Sequence, residues 1–216
     1  MPEPSTFGPR TPLPKGPNQL SPSEIADSHR TRLMTAITKL VAAHGWTEVS
    51  IANVVAEAGV SRSAFYENFT DKEDCLLRAF DIYSQGVAEA VAQSVDPDLG
   101  WVELTTVVIT AFIDKLQSDI PASKAFYVEM EAAGPEARAR RRVGAGAFTE
   151  LLKYQHTIAL AEDPQLKPVP DRIFAGVVLG IRELVREELD RSGDPDLTVL
   201  TDDIVAWIVA VTRGFD

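Results

Sequence analysis

Positive charge and cysteine are both scarce in this chain of 216 residues. Its 21 Lys and Arg are outnumbered by 32 Asp and Glu, which gives a net charge of -11 at pH 7. The single cysteine, Cys75, allows no disulfide within the chain and no cysteine-based metal cluster. We interpret Cys75 as a small apolar residue on a helix, and we expect the protein to use neither a metal nor a cofactor.

Long apolar runs are absent as well. No stretch approaches the roughly 20 apolar residues that cross a bilayer, and no basic start followed by an apolar run marks a secretory signal. We therefore expect a cytoplasmic location. The sequence also lacks a glycine-rich phosphate loop, a nucleophile elbow and a recognisable set of Ser, His and Asp, so we do not expect an enzyme.

Helical periodicity is the dominant pattern that is present. Hydrophobic residues make up 45% of the chain, enough to bury a full core, and from Ser23 onward they recur at a spacing near 3.6. No alternation of period two is long enough to require a sheet. The pattern predicts an all-α fold of about nine helices. These helices are predicted at about residues 23–44, 50–58, 61–69, 71–94, 100–118, 121–133, 136–162, 170–191 and 198–214.

The stretch from residue 45 to 73 predicts a helix-turn-helix. Gly45 can end one helix in a left-handed conformation, and Ser50 can cap the next with its hydroxyl. Gly59 permits a tight turn, and Ser61 supplies a side-chain oxygen for the first free amides of a third helix. We expect this third helix to contact DNA.

These residues resemble the tetracycline-repressor (TetR) family of bacterial transcription regulators over about residues 28 to 78. The matching pattern is Gly45, Val49-Ser50, Val54, Ala58-Gly59-Val60-Ser61, Phe65-Tyr66, Phe69, Lys72-Glu73 and Leu76-Leu77. The chain departs from the usual pattern at Ala52, Ser63 and Asn68, and Ala52 removes a phosphate contact. The resemblance implies a homodimeric regulator, by default a repressor, that a small molecule releases from DNA.

The predicted organisation has three parts. Residues 1–22 contain seven of the 14 prolines and are predicted to be a disordered arm. Residues 23–70 are predicted to be the helix-turn-helix DNA-binding domain, and residues 71–216 a larger ligand-binding and dimerisation domain. Residues 1–70 hold six basic and six acidic residues, so the whole acidic excess lies in the larger part.

DNA contacts are expected from the exposed side of the third helix and from two helix starts. Arg62 can read guanine with its fork of donors, although a phosphate contact competes with this role. Ala64 can touch a thymine methyl group, and Tyr66 can donate to phosphate. The predicted DNA-binding residues are Ser50, Ser61, Arg62, Ser63, Ala64, Tyr66, Asn68 and Lys72. Because a dimer reads two half-sites, the double-stranded operator should be an inverted repeat.

The larger part is rich in aromatic residues, which favours an apolar or amphipathic effector. Ordinary core packing is the competing interpretation of the same residues, and His156 and His44 are assigned a structural role. The resemblance implies that binding of a small molecule rotates the two DNA-binding domains. The predicted ligand-binding residues are Trp101, Phe112, Phe126, Tyr127, Met130, Tyr154 and Phe174.

Apolar stripes on the last two predicted helices suggest a homodimer. From periodicity alone, the stripes could equally face the core of one subunit, and the resemblance favours pairing. The predicted interface residues are Val177, Ile181, Leu184, Ile204, Ile208 and Val211. The alternative function is a helical ligand-binding or interaction module of TetR shape that no longer binds DNA, to which Ala52 and the acidic charge lend weight.

Overall fold

The computed structural model describes residues 6–7, 21–191 and 193–213. Over these ranges the chain forms nine α-helices and two short 3-10 helices and contains no strand, which confirms the predicted all-α class. The proline-rich arm predicted for residues 1–22 lies almost entirely outside the described residues. The helices are α1 Pro22–His44, α2 Ile51–Ala58, α3 Arg62–Asn68, α4 Lys72–Ser94, α5 Trp101–Gln117, α6 Ile120–Tyr127, α7 Pro135–Ala159, α8 Asp171–Asp190 and α9 Thr201–Arg213.

Serine hydroxyls begin each of the first three helices. Ser21 accepts from the amide of Glu24 at 3.3 Å and precedes α1. Ser50 accepts from the amide of Asn53 at 3.2 Å, and Ser61 accepts from the third amide of α3 at 3.1 Å. Each such cap stabilises a helix by about 1 kcal/mol, so these starts follow directly from the local sequence.

Two predicted helices are interrupted. The helix predicted for 121–133 ends at Tyr127 and is followed by a 3-10 helix at Glu129–Ala133, after which Gly134 adopts a φ of 121°. The last helix is likewise preceded by a 3-10 helix at Leu197–Leu200. Apolar periodicity does not separate these tighter turns from α-helix, because they are only a few residues long.

The chain divides into two compact units that are interleaved along the sequence. The first unit comprises the described residues up to 86 together with 121–134, and the second comprises 87–120 and the described residues from 135 onward. Buried apolar residues from α1, α2, α3 and α4 form the core of the first unit: Leu33, Ile37, Val54, Phe65 and Leu76. The core of the second unit includes Ile113, Leu116, Val185, Leu189, Leu197 and Ile204.

The predicted dimer stripes require a correction. Val177, Ile181, Ile204 and Ile208 are all buried within one subunit, where a second copy could not contact them. The periodicity correctly identified an apolar face on each helix, but these faces pack against neighbouring helices of the same chain, chiefly α8 on α7 and α9 on α5. Of the six predicted residues, Leu184 remains exposed and Val211 is half-buried.

A close approach between α8 and α9 explains one of the two glycines in α8. A methyl group added at Gly180 would collide with the indole ring of Trp207 on α9, so the absence of a side chain makes room for that ring. A methyl group added at Gly176, one turn earlier, would meet nothing within 4 Å.

Over the described residues, every helix is too short or too polar to span a membrane.

We expect Gly180→Ala to lower the free energy of unfolding by about 1–3 kcal/mol, because the rigid indole of Trp207 must move to accommodate the methyl group. Gly144→Ala, in the interior of α7, is the matched control, because a methyl group there would meet nothing within 4 Å. It should raise the free energy of unfolding by about 0.5–1 kcal/mol, since alanine is the better helix former and the space is open. Urea denaturation of both variants measures the difference, and a stabilised Gly180→Ala protein would contradict the expected collision.

Candidate nucleic-acid interface

The turn between α2 and α3 is closed by backbone hydrogen bonds and by a side chain from α1. Gly59 has φ 62° and ψ 41°, a left-handed conformation that costs other residues about 1–2 kcal/mol. The amide of Gly59 donates to the carbonyl of Ala56 at 3.2 Å, and the amide of Val60 donates to that of Val55 at 3.1 Å. Arg32 donates to the carbonyl of Gly59 at 2.9 Å. The turn that sets the orientation of α3 is therefore held both by its own backbone hydrogen bonds and by Arg32 of α1.

The turn before α2 is held by charged side chains from distant parts of the first unit. Lys72 Nζ donates to the carbonyls of Trp46 at 3.1 Å and Val49 at 2.8 Å, and it lies 4.1 Å from the centre of the Trp46 ring. The carboxylate of Glu129 accepts from the Trp46 amide at 3.3 Å. Gly45 has a φ of 81°, and a methyl group there would lie 3.2 Å from the same carboxylate. These contacts satisfy three backbone groups of the turn.

Helix α3 has one buried and one exposed face. Phe65 is buried, and its ring lies 5.8 Å from that of Phe69, which is buried just beyond the helix. The opposite face is polar and exposed. Arg62 and Tyr66, one turn apart on it, approach within 3.4 Å between the guanidinium Nη2 and the phenol oxygen. The residues exposed on this surface are Ser61, Arg62, Ser63, Tyr66 and Glu67.

One predicted DNA contact is wrong. Ala64 is only 6% exposed, because α3 packs against α1 on the side where Ala64 lies beside Phe65. Its methyl group therefore belongs to the core of the first unit and cannot reach a thymine.

The other predicted residues are exposed or half-buried, and several already make hydrogen bonds. The hydroxyls of Ser61 and Ser63 lie 2.9 Å apart. Asn68 donates from its side-chain amide to the carbonyl of Ala64 at 2.7 Å, which leaves one amide hydrogen for a phosphate. Lys72 has used two of its three donors on backbone carbonyls. Its main role in the free protein is to hold the turn before α2.

Three predicted ligand residues, Phe126, Tyr127 and Met130, lie in the first unit. Phe126 is buried against Phe80 and Tyr83, at 5.6 and 4.9 Å between ring centres. The hydroxyl of Tyr83 lies 2.7 Å from that of Ser123 in a buried hydrogen bond. Segment 121–134 is therefore packed into the same unit as the helix-turn-helix.

The remaining predicted ligand residues lie in the second unit and do not all come together. Trp101 and Phe174 both contact the ring of His156, at 5.3 and 5.2 Å between centres. Phe112 lies 5.8 Å from Phe148 on α7. Tyr154 is 63% exposed and makes no such ring contact with any of the described residues. Sequence reasoning missed the position of His156, since a lone histidine has no periodic signal that distinguishes a buried site from a surface one.

Residues 33–79 match the sequence model of a family described as bacterial regulatory proteins, tetR family. This segment extends from within α1 into α4 and contains all of α2 and α3 with the turn between them. A comparison with curated proteins finds no match.

Solved structures share the fold over most of the chain. The fatty acid degradation regulator FadR from Bacillus halodurans has a TM-score of 0.71 at 16% identity, covering 89% of this chain and 97% of its own. FadR from Bacillus subtilis, solved in complex with stearoyl-CoA, has a TM-score of 0.68 at 17% identity, covering 83% and 97%. A TetR family regulator from Marinobacter aquaeolei VT8 reaches 0.62 at 20% identity, covering 85% and 97%. At such identities the likeness establishes the fold.

We expect Lys72→Met to lower the free energy of unfolding by about 2 kcal/mol, because it removes two hydrogen bonds from a charged donor while keeping an apolar stem. Lys39→Met is the matched control. Its ammonium makes one exposed ion pair with Glu57 at 3.4 Å, worth about 0.2–1 kcal/mol. Chemical denaturation without DNA measures both changes, and equal losses would show that the turn does not depend on Lys72.

Proposed function

We propose that this chain, whose residues 33–79 match the tetR family model, is a ligand-responsive transcriptional regulator that binds operator DNA as a homodimer. The observation that carries this proposal is the division of α3 into a buried apolar face and an exposed face with Arg62, Ser63 and Tyr66. A recognition helix needs this division, because one side must pack on the protein while the other enters the major groove. The protein would act in the cytoplasm, where it meets DNA.

Arg62 is the proposed base-reading residue. It is exposed at the start of α3, and its guanidinium has five donors that match the two acceptors of guanine in the major groove. Tyr66, Ser63, Ser61, Ser50, Asn68 and Lys72 are proposed to contact the phosphate backbone and to set the register of the helix. Ala64 is no longer included.

The proposed regulatory scheme is repression of genes by binding to an inverted repeat, relieved by an apolar or amphipathic effector. FadR from Bacillus subtilis shares the fold and was solved with stearoyl-CoA, so a long-chain acyl-CoA is the first effector to test. A ligand that prefers the DNA-free conformation lowers operator affinity, and operator DNA must lower ligand affinity by the same factor.

The proposed dimer surface is the exposed face of α8. Ile173, Gly176 and Leu179 lie on this face at a spacing of three residues, Leu184 is exposed further along the helix at the edge of the face, and the open space at Gly176 allows another helix to approach. The exposed apolar side chains on this face favour burial against a second copy.

Operator selection with the purified protein tests the function. We expect selection from random duplexes to yield a short inverted repeat, and Arg62→Ala to weaken binding by about 1–3 kcal/mol and relax the preference at one base pair per half-site. Arg62→Lys keeps the charge without the fork. If Arg62 reads guanine, the Arg62→Lys variant should also lose the base preference. If Arg62 contacts phosphate, the variant should keep its affinity for DNA.

Arg142→Ala is the control for charge, because it removes one cation from an exposed position on α7. It should leave the affinity and the selected sequence unchanged. If no duplex is selected above random sequence, the alternative of a helical module without DNA binding replaces the proposal.

Sedimentation velocity at micromolar concentration tests the dimer. We expect the protein to sediment as a dimer and Leu179→Glu to sediment as a monomer, because Leu179 is 55% exposed at the centre of the proposed surface and a buried unpaired carboxylate is costly. Val143→Glu on α7, at a position 74% exposed, is the control and should remain dimeric. A monomeric parent protein, or a dimeric Leu179→Glu variant, would contradict the proposed surface.

A further inference from the structure

His156, near the end of α7, is a buried histidine with an unsatisfied nitrogen. The residue is 2% exposed, and its Nε2 has no hydrogen-bond partner among the described residues. The ring is flanked by Trp101 of α5 and Phe174 of α8, neither of which offers it a hydrogen bond. Buried polar atoms in folded proteins are nearly always paired, so an unpaired one calls for a specific explanation.

Thr105 on α5 is a second buried residue with an unsatisfied polar atom in the same unit. Its hydroxyl has no partner among the described residues, and the side chain lies one helical turn after Trp101 on the same face. The indole nitrogen of Trp101 already donates to the hydroxyl of Thr212 at 2.9 Å. The ring of Trp101 therefore contacts the imidazole of His156, which has an unsatisfied nitrogen, and Thr105, one turn after Trp101, has an unsatisfied hydroxyl.

Ring contacts join α5 and α7 at two levels. The start of α5 meets the end of α7 where Trp101 contacts His156, and Phe112 further along α5 meets Phe148 earlier on α7, so the two helices run antiparallel. The levels are about 16 Å apart along α5 and about 12 Å apart along α7, at a rise of 1.5 Å per residue. Thr105 lies between these levels, on the same face of α5 as Trp101 and Phe112.

Helices α5 and α7 have no extensive backbone contact with each other over the described residues. Helix α5 packs chiefly against α9, and α7 packs chiefly against α8. Leu152 lies on α7 between Phe148 and His156, one turn from each, yet it remains half-buried.

We propose that His156 and Thr105 are the polar anchors of the effector site, and that they bind the neutral carbonyl oxygen of an amphipathic ligand whose long apolar chain lies between α5 and α7. This inference rests on the proposed function, since it assigns residues and ligand chemistry to the proposed effector site. Burial lowers the pKa of His156 below its ordinary value, which favours the neutral form of the imidazole. A neutral imidazole and a hydroxyl can each donate one hydrogen bond to a carbonyl oxygen without burying a charge.

The test compares two probes that differ by one oxygen atom. Stearoyl-CoA carries a thioester carbonyl, and its thioether analogue, octadecyl-CoA, lacks that carbonyl and keeps the chain and the nucleotide. We expect the full-length protein to bind the thioester about tenfold more tightly than the thioether by isothermal titration, a ratio in line with one or two buried hydrogen bonds. Equal affinities would overturn the proposal.

His156→Phe and Thr105→Val are the diagnostic variants. Each replaces a polar side chain by an apolar one of similar shape, so each should lose about three- to tenfold in affinity for the thioester and little for the thioether. Both variants should also melt at the same temperature as the parent or higher, because they remove a buried unsatisfied group. A merely structural role predicts the opposite, with lower melting temperatures and parallel losses for both probes.

Thr38→Val is the matched control. Thr38 is also buried with an unsatisfied hydroxyl, but it lies on α1 in the first unit, so its substitution should leave the preference for the thioester unchanged. Failure to bind either probe would overturn the inferred ligand chemistry. Operator binding by the ligand-free protein is measured separately, and its loss would count against the proposed function rather than against the anchors.

Discussion

The ammonium group of Lys72 is the contact on which the geometry of the reading helices depends. It joins the first residue of α4 to two carbonyls in the turn that precedes α2, and it covers the Trp46 ring. Buried backbone groups without partners are costly, and this loop has no secondary structure of its own to pair them. Arg32 serves the same purpose at Gly59. These contacts are made by side chains of α1 and α4. The exposed face of α3 is therefore not needed to hold the two turns and is available to a binding partner.

Local chemistry determined which parts of this structure could be predicted. The starts of α2 and α3 follow from Ser50 and Ser61, since a capping hydroxyl acts within three residues. The burial of Ala64 could not be predicted in the same way, because a helix of seven residues has too few positions for periodicity to define its faces. Glu129 was missed because its partner, the amide of Trp46, lies 83 residues away in sequence. The stripes on α8 and α9 were real, but periodicity does not say whether an apolar face packs within a subunit or between two.

The distribution of charge limits how such a protein could hold DNA. Residues 1–70 have no net charge, and most of the residues proposed to contact phosphates are uncharged. Few counterions would therefore be released, and binding to arbitrary sequence would be weak. Hydrogen bonds and shape complementarity would then supply most of the affinity for operator DNA. The lack of net charge in residues 1–70 and the acidic remainder of the chain are compatible with a protein that binds most genomic sequences weakly.

Segment 121–134 has a consequence for the way this fold can change over generations. It folds into the unit that contains the helix-turn-helix, where Glu129 and Ser123 meet partners that precede residue 86, although both of its ends continue into the other unit. A recombination event that exchanged only the first 86 residues between two genes would part the Trp46 amide and the Tyr83 hydroxyl from the groups that satisfy them. The packing of the helix-turn-helix unit therefore depends on a stretch of sequence in the middle of the gene as well as on its own N-terminal residues.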